Sequence, residues 1–166
     1  SSKMQLTLKT ILNFKEKHEH FIYRDVRLAN ERIEVTIEPR KRSLGICSGC
    51  GDRCAGYDRL PLREFIHVPF WGLQVILLYC MRRVSCKKCG IVSEQVPWSS
   101  GKSPITIGYA WFLSEWAKLL SVQEVARQFK TTWHHVFGGV AMAVSWGRER
   151  LDLKHITALG VDEIYW

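Results

Sequence analysis

The sequence predicts an α+β fold, with a small β-rich N-terminal part followed by a helical part. Three observations carry this reading. Apolar residues alternate with polar ones over residues 23–28 and 33–37, and two further strand-like runs follow at 63–68 and 73–84. Two C-x-x-C pairs, Cys47/Cys50 and Cys86/Cys89, bracket the second half of that region. After Ser99-Ser100-Gly101-Lys102-Ser103-Pro104 the apolar spacing changes to the 3–4 rhythm of helices. At 166 residues there is room for one ordinary domain or a few small modules.

Taken in order, Leu8, Ile11 and Leu12 suggest a short helix over 7–16. The stretches 23–28 and 33–37, separated by Ala29-Asn30-Glu31-Arg32, read as a β-hairpin. Its buried face would be Val26, Leu28, Ile33, Val35 and Ile37. Arg40-Lys41-Arg42 reads equally as a solvated turn or a phosphate contact. The strands at 63–68 and 73–84 are divided by Pro69-Phe70-Trp71-Gly72, and 91–96 would close the ribbon that they form between the two cysteine pairs.

The cysteine spacing has a specific chemistry. A C-x-x-C turn points two thiolates at one ion, and two such knuckles complete a tetrahedral four-sulfur zinc site. Gly51 and Gly90 follow the two pairs and give the backbone freedom to turn beneath the metal. The expected ligands are therefore Cys47, Cys50, Cys86 and Cys89 of a zinc ribbon over 47–98. A redox C-x-x-C would not require the second pair. Four thiolates leave no open position for water, so the zinc would be structural and not catalytic. Cys54 and Cys80 read as free thiols, although Cys54 is placed to replace a ligand of the first knuckle.

Residues 99–104 form the expected linker between the ribbon and a helical unit over 105–153. Ile107, Ala110, Trp111, Leu113, Ala117 and Leu120 mark one helix. Ser121-Val122-Gln123-Glu124 is a capping box that starts a second, burying Val122, Val125, Ala126 and Phe129. Lys130-Thr131 breaks it, Thr131 or Thr132 caps a third, and Val136, Val140, Ala143 and Val144 mark its inner face. A short helix, a tight turn and a second capped helix make a helix-turn-helix pattern. In that motif the start of the second helix enters the major groove. The base-reading residues would be Thr132, Trp133, His134 and His135, flanked by Arg127, Gln128 and Lys130. The competing reading is a plain helical hairpin with Trp133 inside.

Charge points the same way. Residues 1–46 carry ten Lys/Arg against six Asp/Glu, 47–104 carry eight against four, and 105–166 carry six of each, giving a net +8. A positive excess favours a polyanionic partner such as nucleic acid. Arg82, Arg83, Lys87 and Lys88 cluster at the second knuckle, where they would either contact phosphates or neutralise the anionic metal site. No apolar run approaches the about 18 residues that cross a bilayer, and the opening residues do not read as a secretory signal. The expected setting is the cytoplasm, with no membrane partner.

The ordered blocks CSGCGDRCAGYDRLPLREFIHVPFWG, MRRVSCKKCG, EQVPW, WFLSEWAKLLSVQEVARQF and ITALGVDEIYW resemble the ISL3 family of bacterial insertion-sequence transposases. The resemblance runs over essentially the whole chain. It implies a zinc ribbon, a helix-turn-helix and then an RNase H-like domain with a DDE triad, of which 154–166 would be the first strand. It further implies that Asp162 is a ligand of catalytic magnesium or manganese. Its partner would be double-stranded DNA at the terminal inverted repeats of the element, bound at the bacterial nucleoid. A homodimer fits the family, with no surface for it readable in the sequence. The sequence stops at Trp166, so the remaining carboxylates that two-metal phosphoryl transfer needs are missing, and the chain alone is expected to be inactive. A stand-alone transcriptional regulator and a zinc-stabilised protein-interaction module are the alternatives.

Overall fold

A computed structural model describes residues 6–150. Asp162 and the strand expected over 154–166 lie outside the described residues. Within them the chain is a mixed α/β structure of one six-stranded sheet and four helices. Helix α1 spans Leu8–Lys15, and Thr7 caps it by accepting from the Thr10 backbone N–H. Strands β1 (Phe21–Ala29) and β2 (Arg32–Pro39) form an antiparallel hairpin. Asn30 and Glu31 take positive φ angles of 52° and 59°, as a two-residue hairpin loop requires. Ile33, Val35 and Ile37 are buried as expected, but Leu28, paired with Ile33 beside the Asn30-Glu31 turn, is 69% exposed.

Strand β3 is Gly45–Ile46, and β4 (Arg53–Phe70) and β5 (Leu73–Cys86) form a long antiparallel hairpin. Strand β4 starts ten residues before the predicted 63, because its polar first half pairs with the arginine-containing end of β5 through two register shifts. Exposed paired backbone of this kind leaves no apolar period to read. Strand β6 (Gly90–Ser93) pairs with β5. The sheet order is β1-β2-β5-β4-β3, and β2 runs parallel to β5, with Ile33 opposite Val75.

One core cluster draws Leu12, Phe21, Val35 and Ile37 together with Phe65, Leu77, Tyr79 and Trp98. Trp98 is its hub, with Phe21, Phe65 and Tyr79 all edge-on to it at 4.9–5.9 Å. A boundary between residues 46 and 47 would cut through this cluster.

The segment 99–104 is tied to β4. Arg63 donates to the carbonyls of Ser103 at 2.8 Å and Gly101 at 3.3 Å, and the Ile66 N–H donates to the Pro104 carbonyl at 2.9 Å. Helix α2 (Ile107–Trp116) then starts at Thr106, whose hydroxyl caps Tyr109 and is hydrogen-bonded to buried His67 at 2.7 Å. Helices α3 (Val122–Gln128) and α4 (Trp133–Arg150) follow. Leu113, Val125, Ala126 and Val136 form a second cluster, with Ile66 and Val68 of β4 packed against it. The helical unit is thus seated on the strand.

At the crossing of α2 and α4, a Cβ on Gly139 would lie 2.7 Å from the Ala110 carbonyl oxygen. Gly139→Ala gains about 1 kcal/mol of helix propensity but must displace backbone, which costs about 1–3 kcal/mol in a packed site. We expect a net loss of stability in a urea melt. Gly138→Ala meets nothing within 4 Å and should instead stabilise. Equal effects of the two would refute this close crossing.

Candidate metal centre and nucleic-acid surface

The four predicted cysteines converge. The sulfurs of Cys47, Cys50, Cys86 and Cys89 all lie within 4.8 Å of one another, with Cys50 and Cys86 3.6 Å apart. Four thiols at that spacing fit a tetrahedral ion, and the donor set is that of a structural zinc site. The local backbone is shaped to hold them. Gly51 and Gly90 have φ of 77° and 78°, and a Cβ on Gly49 would lie 2.9 Å from the Cys89 sulfur. The Gly49 N–H donates to the Cys47 sulfur at 3.4 Å. The backbone N–H groups of Cys89 and Lys88 favour the Cys86 thiolate and bring its pKa down to about 6. Cys54 is not one of the four. It is buried beside Val84, donates to the Asp52 carbonyl at 3.5 Å, and burial pushes its thiol up to about 11.

Arg82 is a correction to the sequence reading. It is only 8% exposed and cannot present its charge to a phosphate. Its guanidinium contacts the Glu94 carboxylate at 2.9 and 3.0 Å and donates to the Ser43 carbonyl at 2.7 Å. Glu94 also accepts from the Arg82 backbone N–H at 2.8 Å and from the Tyr79 hydroxyl. This network ties β5 to the chain entering and leaving the knuckles. Glu94 was missed, although Val92, Glu94 and Val96 share one parity of a strand and so were placed to face inward together.

The other knuckle cations remain accessible. Arg83 is bonded to Asp58, which holds the Asp58 carboxyl below its usual range. Lys88 pairs with Asp52 at 2.9 Å, raising its own pKa, and both side chains are at least half exposed. Lys87 is exposed. Pairs this exposed are worth little and can exchange partners.

The predicted base-reading residues share one end of α4. Ser121 and Glu124 form the expected reciprocal capping box of α3. The chain turns through Lys130 at φ 51°, where glycine is usual, and the His135 N–H donates to the Thr132 hydroxyl at 3.3 Å. Thr132, Trp133 and His134 are exposed, as are Arg127 and Lys130. Trp133 does not pack inside: it is 52% exposed and stacks on His134 at 3.7 Å. His135 is half-buried and hydrogen-bonded to the Thr131 hydroxyl at 2.9 Å, and burial lowers its pKa. It is the least available of the four. Phe137, one turn beyond Trp133 and 59% exposed, belongs to the same surface and was legible from that spacing.

Among the described residues, no helix is long and apolar enough to cross a membrane. Comparison with protein-family models, curated proteins and solved structures finds no match.

Proposed function

We propose that this chain is the DNA-recognition region of a bacterial DDE transposase, in which a zinc ribbon and a helix-turn-helix bind the terminal inverted repeats of an insertion sequence. The observation that carries the reading is the capped α3, the tight turn at Lys130 and the exposed Thr132-Trp133-His134 start of α4. That arrangement suits a recognition helix, whose first residues reach base edges. Arg127, Lys130, Lys87, Lys88 and Arg83 supply phosphate contacts, while zinc on Cys47, Cys50, Cys86 and Cys89 holds the ribbon. The transposase assignment rests on the ordered sequence blocks, and Asp162 belongs to it as a family-implied metal ligand.

Selection from a randomised duplex pool, followed by a salt series on the selected and scrambled duplexes, tests this. Affinity should fall steeply with salt and favour the selected duplex. Salt-insensitive binding to a protein, with none to DNA, would favour the interaction-module reading. Within the DNA reading, His134→Ala should cost about 1–3 kcal/mol at the base pair it contacts and relax preference there. An equal loss on every sequence would remove it from base readout.

A further inference from the structure

The hairpin joining β4 and β5 ends in Trp71-Gly72, with φ of 48° and 74°. Both positions lie in the left-handed region, where Asn, Asp or Gly is favoured and a bulky side chain is strained. Trp71 is also 91% exposed, so the fold gains almost nothing from its indole. A strained backbone and a bare tryptophan at one position are both costs without a return inside the described chain. The indole is nonetheless held in place. It stacks at 5.0 Å and 25° on Phe70, which is itself packed against the main core.

The tip stands beside the recognition end of the helices. Glu31, Pro69 and Gly72 line one cleft of about 210 Å³ together with Phe129, Lys130 and Thr131, the residues leading into α4. The residues flanking Trp71 therefore line the same cleft as Lys130 and Thr131, the turn that leads into α4.

We propose that the β4–β5 tip is a second DNA-contacting element, and that Trp71 wedges into a base step of the minor groove next to the major groove entered by α4. This rests on the DNA-recognition reading above and adds a partner surface to it. Apolar side chains inserted between base pairs partly unstack them and bend the duplex, and indoles stack well on bases of any sequence. The tip would thus add affinity and bending rather than base-pair preference.

The test compares the full chain with Trp71→Gly and Trp71→Phe on the pool-selected duplex, with 2-aminopurine placed at successive flanking positions. Glycine suits the left-handed backbone, so Trp71→Gly should melt no lower than the parent while binding DNA about tenfold or more weakly. Parent protein should raise 2-aminopurine fluorescence at one flanking step, and Trp71→Gly should not. Trp71→Phe should retain most of the affinity. Unchanged DNA affinity of Trp71→Gly overturns the proposal while leaving the α4 reading intact, and so does a loss of self-association with DNA binding untouched. A fall in melting temperature that parallels the affinity loss also overturns it, by making the tip structural. No salt-steep binding of the parent to any duplex removes both readings.

Discussion

Stripping the metal with a thiol-competing chelator should release one zinc per chain and unfold the knuckle end of the sheet. The sequence-local structure there is too slight to persist. Strand β3 has two residues and β6 four, and the cluster beneath the knuckles is only Cys47, Cys54, Val84 and Cys86 with Val92 against it. Structural zinc contributes roughly 10–16 kcal/mol of apparent binding free energy in small finger peptides, comparable to the whole stability of a domain. The main core around Trp98 contains no ligand, so the loss should be local. Hydrogen exchange should accelerate over 45–56 and 82–94 while 75–79 stays protected. Cys47→Ser should reproduce the pattern without chelator. No metal released, with exchange unchanged, would remove zinc from the fold.

The second large effect is at Arg82. Removing it by Arg82→Met leaves the Glu94 carboxylate, whose side chain is fully buried, without its cation. Breaking a buried pair on one side costs about 3–5 kcal/mol, because the remaining charge is uncompensated. Arg82→Met combined with Glu94→Gln should recover more than half of that loss, since the amide oxygen still accepts from Tyr79 and from the residue 82 backbone N–H. Urea melts of the two single variants and the double variant give the coupling directly. A variant that melts like the parent but loses DNA affinity would return Arg82 to the phosphate surface.

Those two sites show what the sequence made legible. The four cysteines, the capping box of α3 and the inward residues of β2 are local signals: each is written in spacing over a few residues, and each appears where it was expected. Arg82 is different. Its neighbour Arg83 reads identically in sequence, and only the parity of β5 against Glu94, the residue after β6, decides which guanidinium turns inward. Leu28 shows the converse, an apolar side chain with the right alternation but no element packed over it. The polar first half of β4 gave no period to read because pairing, and not burial, holds it. The segment 99–104 has a linker's composition, yet its polar backbone groups are claimed by Arg63 and Ile66. Pairing across distant strands is set by the whole sheet, and no short window contains it.

The parallel union of β2 with β5 has a consequence for how the chain is made. Strand β5 is the central strand of the sheet, yet it leaves the ribosome after β1, β2, β3 and all of β4. An isolated hairpin such as β1–β2 is marginal in water, and its open β2 edge has no partner until Leu73 and its successors emerge. Synthesis therefore passes through an interval in which an apolar, unpaired edge is exposed to other nascent chains. Pausing within 40–72 should prolong that interval and raise aggregation, whereas pausing after β6 should let the finished sheet close over it.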